Sequence, residues 1–137
     1  MAALSGPKPI ASMAQGKFAV PVKGATTIYQ GALVCLDASG FAIPGALATG
    51  LVAIGIADDT VANAGADGAK TITVTSSATG QDFLFANDGT NAVTAAHVGR
   101  TVYVMDDQTV RSLATGASAA GICTRVSSAG VHVRIGV

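Results

Sequence analysis

One stretch of this chain occurs twice, and that repetition limits what the chain can fold into more than any other feature. Residues 47–56, Leu-Ala-Thr-Gly-Leu-Val-Ala-Ile-Gly-Ile, return as residues 113–122, Leu-Ala-Thr-Gly-Ala-Ser-Ala-Ala-Gly-Ile, with seven of ten positions identical. Upstream of each copy a glycine opens an apolar run that ends at aspartate, Gly31 to Asp37 and Gly99 to Asp106. The pattern describes a duplicated supersecondary unit, about residues 31–57 and 99–126. Each unit holds an apolar strand, an Asp-containing turn, a short strand, and a small-residue strand carrying glycine. Two copies are too few for a solenoid, which needs about three stacked units. A closed or sandwiched β domain with internal pseudo-symmetry is expected.

The rest of the chain reads as strands and turns. Residues 18–22 and 26–30 are β-branched or aromatic segments broken by Lys23-Gly24, and Pro21 assigns the first to a sheet edge. Residues 32–36 and 41–43 flank the turn residues Asp37-Ala38-Ser39-Gly40, a hairpin signal. Residues 58–68 read as a loop closing on Asp67-Gly68. Residues 70–75 then alternate strictly, with Ile72 and Val74 on one face and Thr71, Thr73 and Thr75 on the other. Further strands are expected at 82–86, 101–105, 109–113, 119–126 and 131–135. The one helical signal is a turn at 94–98, capped by Asn91 or Thr94 and stopped by Gly99. The fold class is therefore all-β, an antiparallel β-barrel or sandwich with at most one short helix. Residues 1–16 carry Pro7, Pro9, Gly6 and Gly16 without sustained periodicity and read as a flexible N-terminal arm, with a single β domain over 17–137.

Composition narrows the function. Charged residues are 12% of the chain against a usual ~25%, and half the chain is apolar. Such a surface leaves apolar patches of the kind that mark protein contact. Charge runs in three blocks: Lys8, Lys17 and Lys23 without an acid, then six aspartates against Lys70, then four arginines against Asp106 and Asp107. A dense basic patch interleaved with aromatics is missing, so no nucleic-acid partner is expected. Residues 38–57 are uncharged and long enough to imitate a membrane span. Pro44, four glycines and the flanking acids argue against it, and no membrane partner is expected. Pro7, Lys8 and Pro9 interrupt any signal-peptide core, which points to synthesis in the cytoplasm.

Candidates for chemistry are few. Cys35 and Cys123 lie in apolar runs and read as buried small hydrophobes rather than a redox or metal pair. His97 and His132 have no carboxylate near them in sequence. Ser118 lacks the second glycine and the strand-turn-helix context of a nucleophile elbow. Asp58-Asp59 and Asp106-Asp107 lack the spaced carboxylates of a calcium loop and read as turn residues. No catalytic residue, metal site or cofactor is expected.

In order along the chain, the segments Gly31 to Asp37, Ile54-Gly55-Ile56-Ala57, Asp67-Gly68 with the strand to Val74, Val98 to Val104 leading to Asp106-Asp107-Gln108-Thr109-Val110, Ala120-Gly121-Ile122, and Gly130 to Ile135 resemble the small capsid decoration, or cement, proteins of tailed bacteriophages. The resemblance covers nearly the whole chain from Lys23. His132 departs from it, standing where the family carries an aromatic. The resemblance implies a non-catalytic β-rich domain, made in the bacterial cytoplasm and bound outside the icosahedral shell of the virion, bridging copies of the major capsid protein. Self-association as a homodimer or homotrimer is expected with it. Contacts with shell or self are expected at the arm and the 58–68 loop, namely Lys8, Ile10, Met13, Lys17, Phe18, Asp58, Asp59 and Asn63. Two other classes compete: a small-molecule-binding or hydrolytic β-barrel using Asp58, Asp59 and His97, and a fibre or adhesin module.

Overall fold

The computed structural model describes residues 2–9 and 12–136. The described chain is almost entirely β: β1 (Lys17–Pro21), β2 (Thr26–Ile28), β3 (Leu33–Leu36), β4 (Ala42–Pro44), β5 (Val52–Ala57), β6 (Val61–Asn63), β7 (Thr71–Thr75), β8 (Phe83–Asn87), β9 (Thr101–Val104), β10 (Thr109–Arg111), β11 (Ala119–Ser127) and β12 (Gly130–Arg134). Two single-turn 3-10 helices, Ser77–Thr79 and Ala95–His97, complete it. Three arrangements result: a five-stranded sheet β1-β7-β5-β3-β4, a closed barrel β10-β8-β12-β11-β9, and a small sheet β2-β6.

The two large arrangements are built alike. In each, a hairpin sets the register, Leu36 opposite Ala42 in β3-β4 and Val104 opposite Val110 in β9-β10. A third strand then pairs with the first strand of the hairpin. Val34 meets Gly55 and Cys35 meets Ala53, so Ile54 bulges; Val102 meets Gly121 and Tyr103 meets Ala119, so Ala120 bulges. A fourth strand follows, with Ala57 opposite Val74 and Cys123 opposite Val133. The fifth places Phe18 opposite Val74 and Phe83 opposite Val133. Five strands of the first half thus have five counterparts in the second: β1 and β8, β3 and β9, β4 and β10, β5 and β11, β7 and β12.

The repeated sequence follows from this backbone. Gly50 and Gly116 turn the chain with positive φ, 77° and 73°. A Cβ on Gly55 would lie within 3.0 Å of the Thr75 carbonyl oxygen, and one on Gly121 within 3.0 Å of the Arg134 carbonyl oxygen. Thr75 and Arg134 occupy equivalent positions, so the same close approach demands glycine in both halves.

Closure differs between the halves. In the second barrel β8 and β10 pair in parallel through Ala86 and Asn87, and the Ala86 N–H donates to the Gln108 carbonyl. The residue equivalent to Ala86 is Pro21, which has no N–H to donate. The first sheet keeps the rest of the closure: Val22 bridges Ala42 in parallel as Asn87 pairs with Val110, and the Lys23 N–H donates to the Ala42 carbonyl as the Asp88 N–H donates to that of Val110.

Two cores result. One holds Val22, Ile28, Val34, Ala42, Ile54, Ile72 and Val74 of the first half. The other holds Phe85, Val93, Val102, Val104, Val110, Val131 and Val133 of the second half, together with Leu33 and Cys35. In β3 the alternation of side chains sends Val34 into its own sheet's core and sends Leu33 and Cys35 outward against the second barrel. Both cysteines are buried and free, and burial pushes the Cys35 thiol up to about 12.

Several expectations meet the structure directly. The hairpin at 37–40, the alternation of β7 and a strand over most of 131–135 stand as read, and Val131, Val133 and Ile135 are buried. The 58–68 segment was expected to be a loop, but β6 lies within it and pairs with β2. A second helical turn, Ser77–Thr79, carries no sequence signal beyond Ser76 capping it and Gly80 ending it. The apolar stretch 38–57 forms β4 and β5, and no helix among the described residues is long and apolar enough to cross a membrane.

Candidate interaction surface

The arm leads into an apolar groove. Residues 2–9 and 12–15 lie outside any strand and are exposed, up to Gly16, which is buried against Thr79. Where the arm joins β1, a groove of about 540 Å³ is lined by Met13, Gly16, Lys17, Phe18 and Ala78. Met13, which lines it, is 92% exposed. The structure thus brings together three of the expected contact residues: Met13, Lys17 and Phe18. Lys8 is exposed farther out on the arm, and Ile10 lies outside the described residues.

Lys17 ties this region to Asp58. The Lys17 ammonium lies 3.1 Å from one carboxylate oxygen of Asp58, and the Thr75 hydroxyl donates to the other at 2.6 Å. The Thr75 hydrogen bond first, then Lys17, hold the Asp58 carboxyl below its ordinary 3.8 against the opposing effect of partial burial. Asp59 is exposed beside it. Asn63, by contrast, is not a surface contact. It is 2% exposed, its amide N–H groups donate to the carbonyls of Val22, Lys23 and Ala66, and its carbonyl accepts from the Gly65 N–H. Its role is to hold the 63–66 turn against the end of β1.

The second half carries the same cluster with its residues permuted. Asp82 accepts from the Thr124 hydroxyl at 2.9 Å and from the Arg134 Nε at 3.1 Å. By register, Asp82 stands where Lys17 stands, Thr124 where Asp58 stands, and Arg134 where Thr75 stands. An acid, a hydroxyl and a cation clasp the same three strands in both halves. Thr124 first, then Arg134, lower the Asp82 carboxyl. No sequence motif announces either cluster, because the partners are 17 to 52 residues apart.

Of the polar groups suspected of chemistry, His97 and Ser118 hold turns, whereas His132 Nδ1 is buried without a hydrogen-bond partner among the described residues. His97 Nδ1 accepts the Thr94 N–H at 2.9 Å and closes the 3-10 turn as a capping box. Ser118 accepts the Leu51 N–H at 3.0 Å and donates to the Ala48 carbonyl at 2.6 Å, fastening the first Leu-Ala-Thr-Gly turn to the second half. Arg111, buried, donates to the carbonyls of Leu113 and Thr115 and holds the second such turn. Among the described residues no three His, Cys or Asp side chains gather as a metal site.

Apolar side chains remain outside on both halves. Leu4, Met13, Tyr29, Leu47, Val52, Leu84, Val98, Leu113 and Ile122 are exposed. A more polar groove of about 320 Å³ runs between Tyr29, Gln30 and Ala32 of the first half and Asp107 and Gln108 of the second. Set against protein-family models, curated proteins and solved structures, the chain matches none.

Proposed function

We propose that this chain is a capsid decoration protein, which binds the outside of a tailed-phage shell and stabilises it by bridging copies of the major capsid protein. The observation that carries this reading is the exposed arm running into an apolar groove beside β1, with Met13, Lys17 and Phe18 on one lining. An arm of this composition gains an apolar surface on ordering, and its prolines lower the entropy lost. The low charge and the scattered exposed apolar residues suit repeated, individually modest contacts, which stabilise an assembled shell by mass action. The chemistry-bearing side chains support the same reading, since His97, Ser118, Arg111 and Asp58 are committed to holding turns and strands.

The test is co-sedimentation of the purified chain with capsids that lack it, beside a chain shortened by residues 1–16. The full chain should pellet with the capsids to saturation, and the shortened chain should lose at least about tenfold in affinity, equivalent to ~1.4 kcal/mol. Equal binding by the two would remove the arm from the account, and no binding by either would remove the capsid.

A further inference from the structure

The groove of about 320 Å³ where the two halves meet differs from the arm groove in its chemistry. Tyr29, Gln30, Asp107 and Gln108 bring a phenol ring, two amides and a carboxylate to its lining. Among the described residues none of these four side chains has a hydrogen-bond or ion-pair partner, although Asp107 is half-buried. By contrast Asp37, Asp58, Asp67, Asp82, Asp88 and Asp106 each accept a hydrogen bond from a neighbour.

The backbone on both sides of the groove is fixed. Tyr29 to Ala32 form a turn closed by the Ala32 N–H on the Tyr29 carbonyl at 3.0 Å, with Gly31 at φ 87°, as a type II turn requires. The Gln30 N–H donates to the Thr60 hydroxyl and the Gly31 N–H to the Ala57 carbonyl, which ties the turn to the first half. Opposite, Asp106 accepts the Gln108 N–H, and the Leu33 N–H on the Asp107 carbonyl at 2.8 Å pins one side to the other. A ligand therefore meets a preformed groove and has only side chains to order. The hairpin itself does not require those side chains. By register Asp107 and Gln108 stand where the first half carries Ser39 and Gly40, and both turns close, Asp37 N–H to Phe41 carbonyl and Met105 N–H to Thr109 carbonyl.

The lining selects a class of ligand. It includes no Lys, Arg or His, and its carboxylate repels anions, so ligands bearing phosphate or carboxylate are disfavoured. A single tyrosine neither sandwiches a flat base nor encloses an organic cation in an aromatic cage. It does offer a face to the C–H groups of a pyranose ring, whose slightly positive hydrogens meet the negative face of the phenol. Hydroxyls at the edge of such a ring donate to a carboxylate, and they both donate to and accept from amides. We propose that this groove binds a neutral saccharide, stacked on Tyr29 and hydrogen-bonded by Asp107, Gln30 and Gln108. Its volume lies near the bottom of the range for small-molecule sites, about 300–1,000 Å³, which suits a short saccharide. The proposal uses neither the arm nor a capsid, so it stands or falls separately from shell binding.

The test follows amide chemical shifts of the isotope-labelled full chain during titration with maltose, cellobiose, lactose and chitobiose. Glucuronate, arginine and adenosine serve as acidic, cationic and flat aromatic probes. At least one neutral disaccharide should shift the amides of residues 29–32 and 107–108 saturably, with a millimolar Kd, and should bind more tightly there than any of the three other probes. Tyr29→Ala and Asp107→Asn should each weaken that binding at least about fivefold, and the double variant should abolish it. Leu84→Ala, exposed on β8 and outside the groove lining, should bind like the wild type. Melting temperatures near the wild-type value establish that the variants are folded. Tyr29→Leu, which keeps apolar bulk without the ring, and Asp107→Ser, the residue of the matching turn, replace any that are not. Absence of saturable shifts at these amides with all four disaccharides, tighter binding there of glucuronate, arginine or adenosine, or unchanged binding by the Tyr29 or Asp107 variants would each overturn the proposal.

Discussion

The first sheet and the second barrel share a strand order, a bulge and a glycine at the same crossing, yet they end differently. Ala86 donates its N–H to Gln108 in the second barrel and Pro21 at the same position cannot, so the first closes with one hydrogen bond fewer, through Val22 and Lys23 as the second also does through Asn87 and Asp88. The outward face of β3 is covered by the other half, whereas the outward face of β9 meets solvent. The acid, hydroxyl and cation that clasp three strands are present in both halves at permuted positions. The comparison separates what the fold requires from what each half has specialised. Backbone approach fixes glycine at 55 and 121, whereas the clasp needs three chemical groups and is indifferent to which strand supplies which.

The largest expected effect tests the asymmetry of the junction. Leu33→Ala removes a fully buried side chain from the contact between halves and should cost about 3 kcal/mol in urea unfolding. Its counterpart change Thr101→Ala, on the uncovered face, should stay below about 1 kcal/mol. Equal costs would mean that the two faces are packed alike. A smaller effect tests closure: Ala86→Pro removes the hydrogen bond to Gln108 that Pro21 already lacks, and should cost about 2 kcal/mol. The reverse change Pro21→Ala should move stability by no more than about 0.5 kcal/mol, because a new N–H donor is offset by a freer unfolded chain.

Much of this was legible in the sequence where a backbone constraint recurs. The doubled Leu-Ala-Thr-Gly stretch, the Asp37 turn and the alternation of β7 each leave a local trace, and the strands fall close to where those traces put them. Pro21 was read as an edge residue, and β1 is the edge strand of its sheet. What the sequence hid depends on distance along the chain. Val61–Asn63 is too short to show a period and becomes a strand through pairing with β2. Asn63 looked like a loop residue because its partners at Val22 and Lys23 lie about forty positions away. The clasps were invisible for the same reason, although Lys17 and Asp58 were both singled out as surface contacts.

The smallest expected effect belongs to those clasps. Asp58 and Asp82, together with Asp37, whose carboxyl is lowered first by the Phe41 N–H, all titrate below their ordinary 3.8 in the folded chain. The unfolded chain therefore binds protons first as acid is added. The stabilisation is fully present above about pH 5 and is lost as pH falls below about 4 through the folded values. Denaturation midpoints measured across that window should fall with acid. Asp58→Asn and Asp82→Asn should each flatten the fall, and to a similar degree if the permuted clasps are equivalent. A slope unchanged by either substitution would dismiss the clasps as contributors.

The most direct measurement of the central claim is the capsid co-sedimentation, followed by electron microscopy of the pelleted particles. The account predicts saturable binding, with two-lobed density of this chain on the outer surface of the shell. Failure to pellet with the capsids, or density confined to the interior or to the tail, would contradict it.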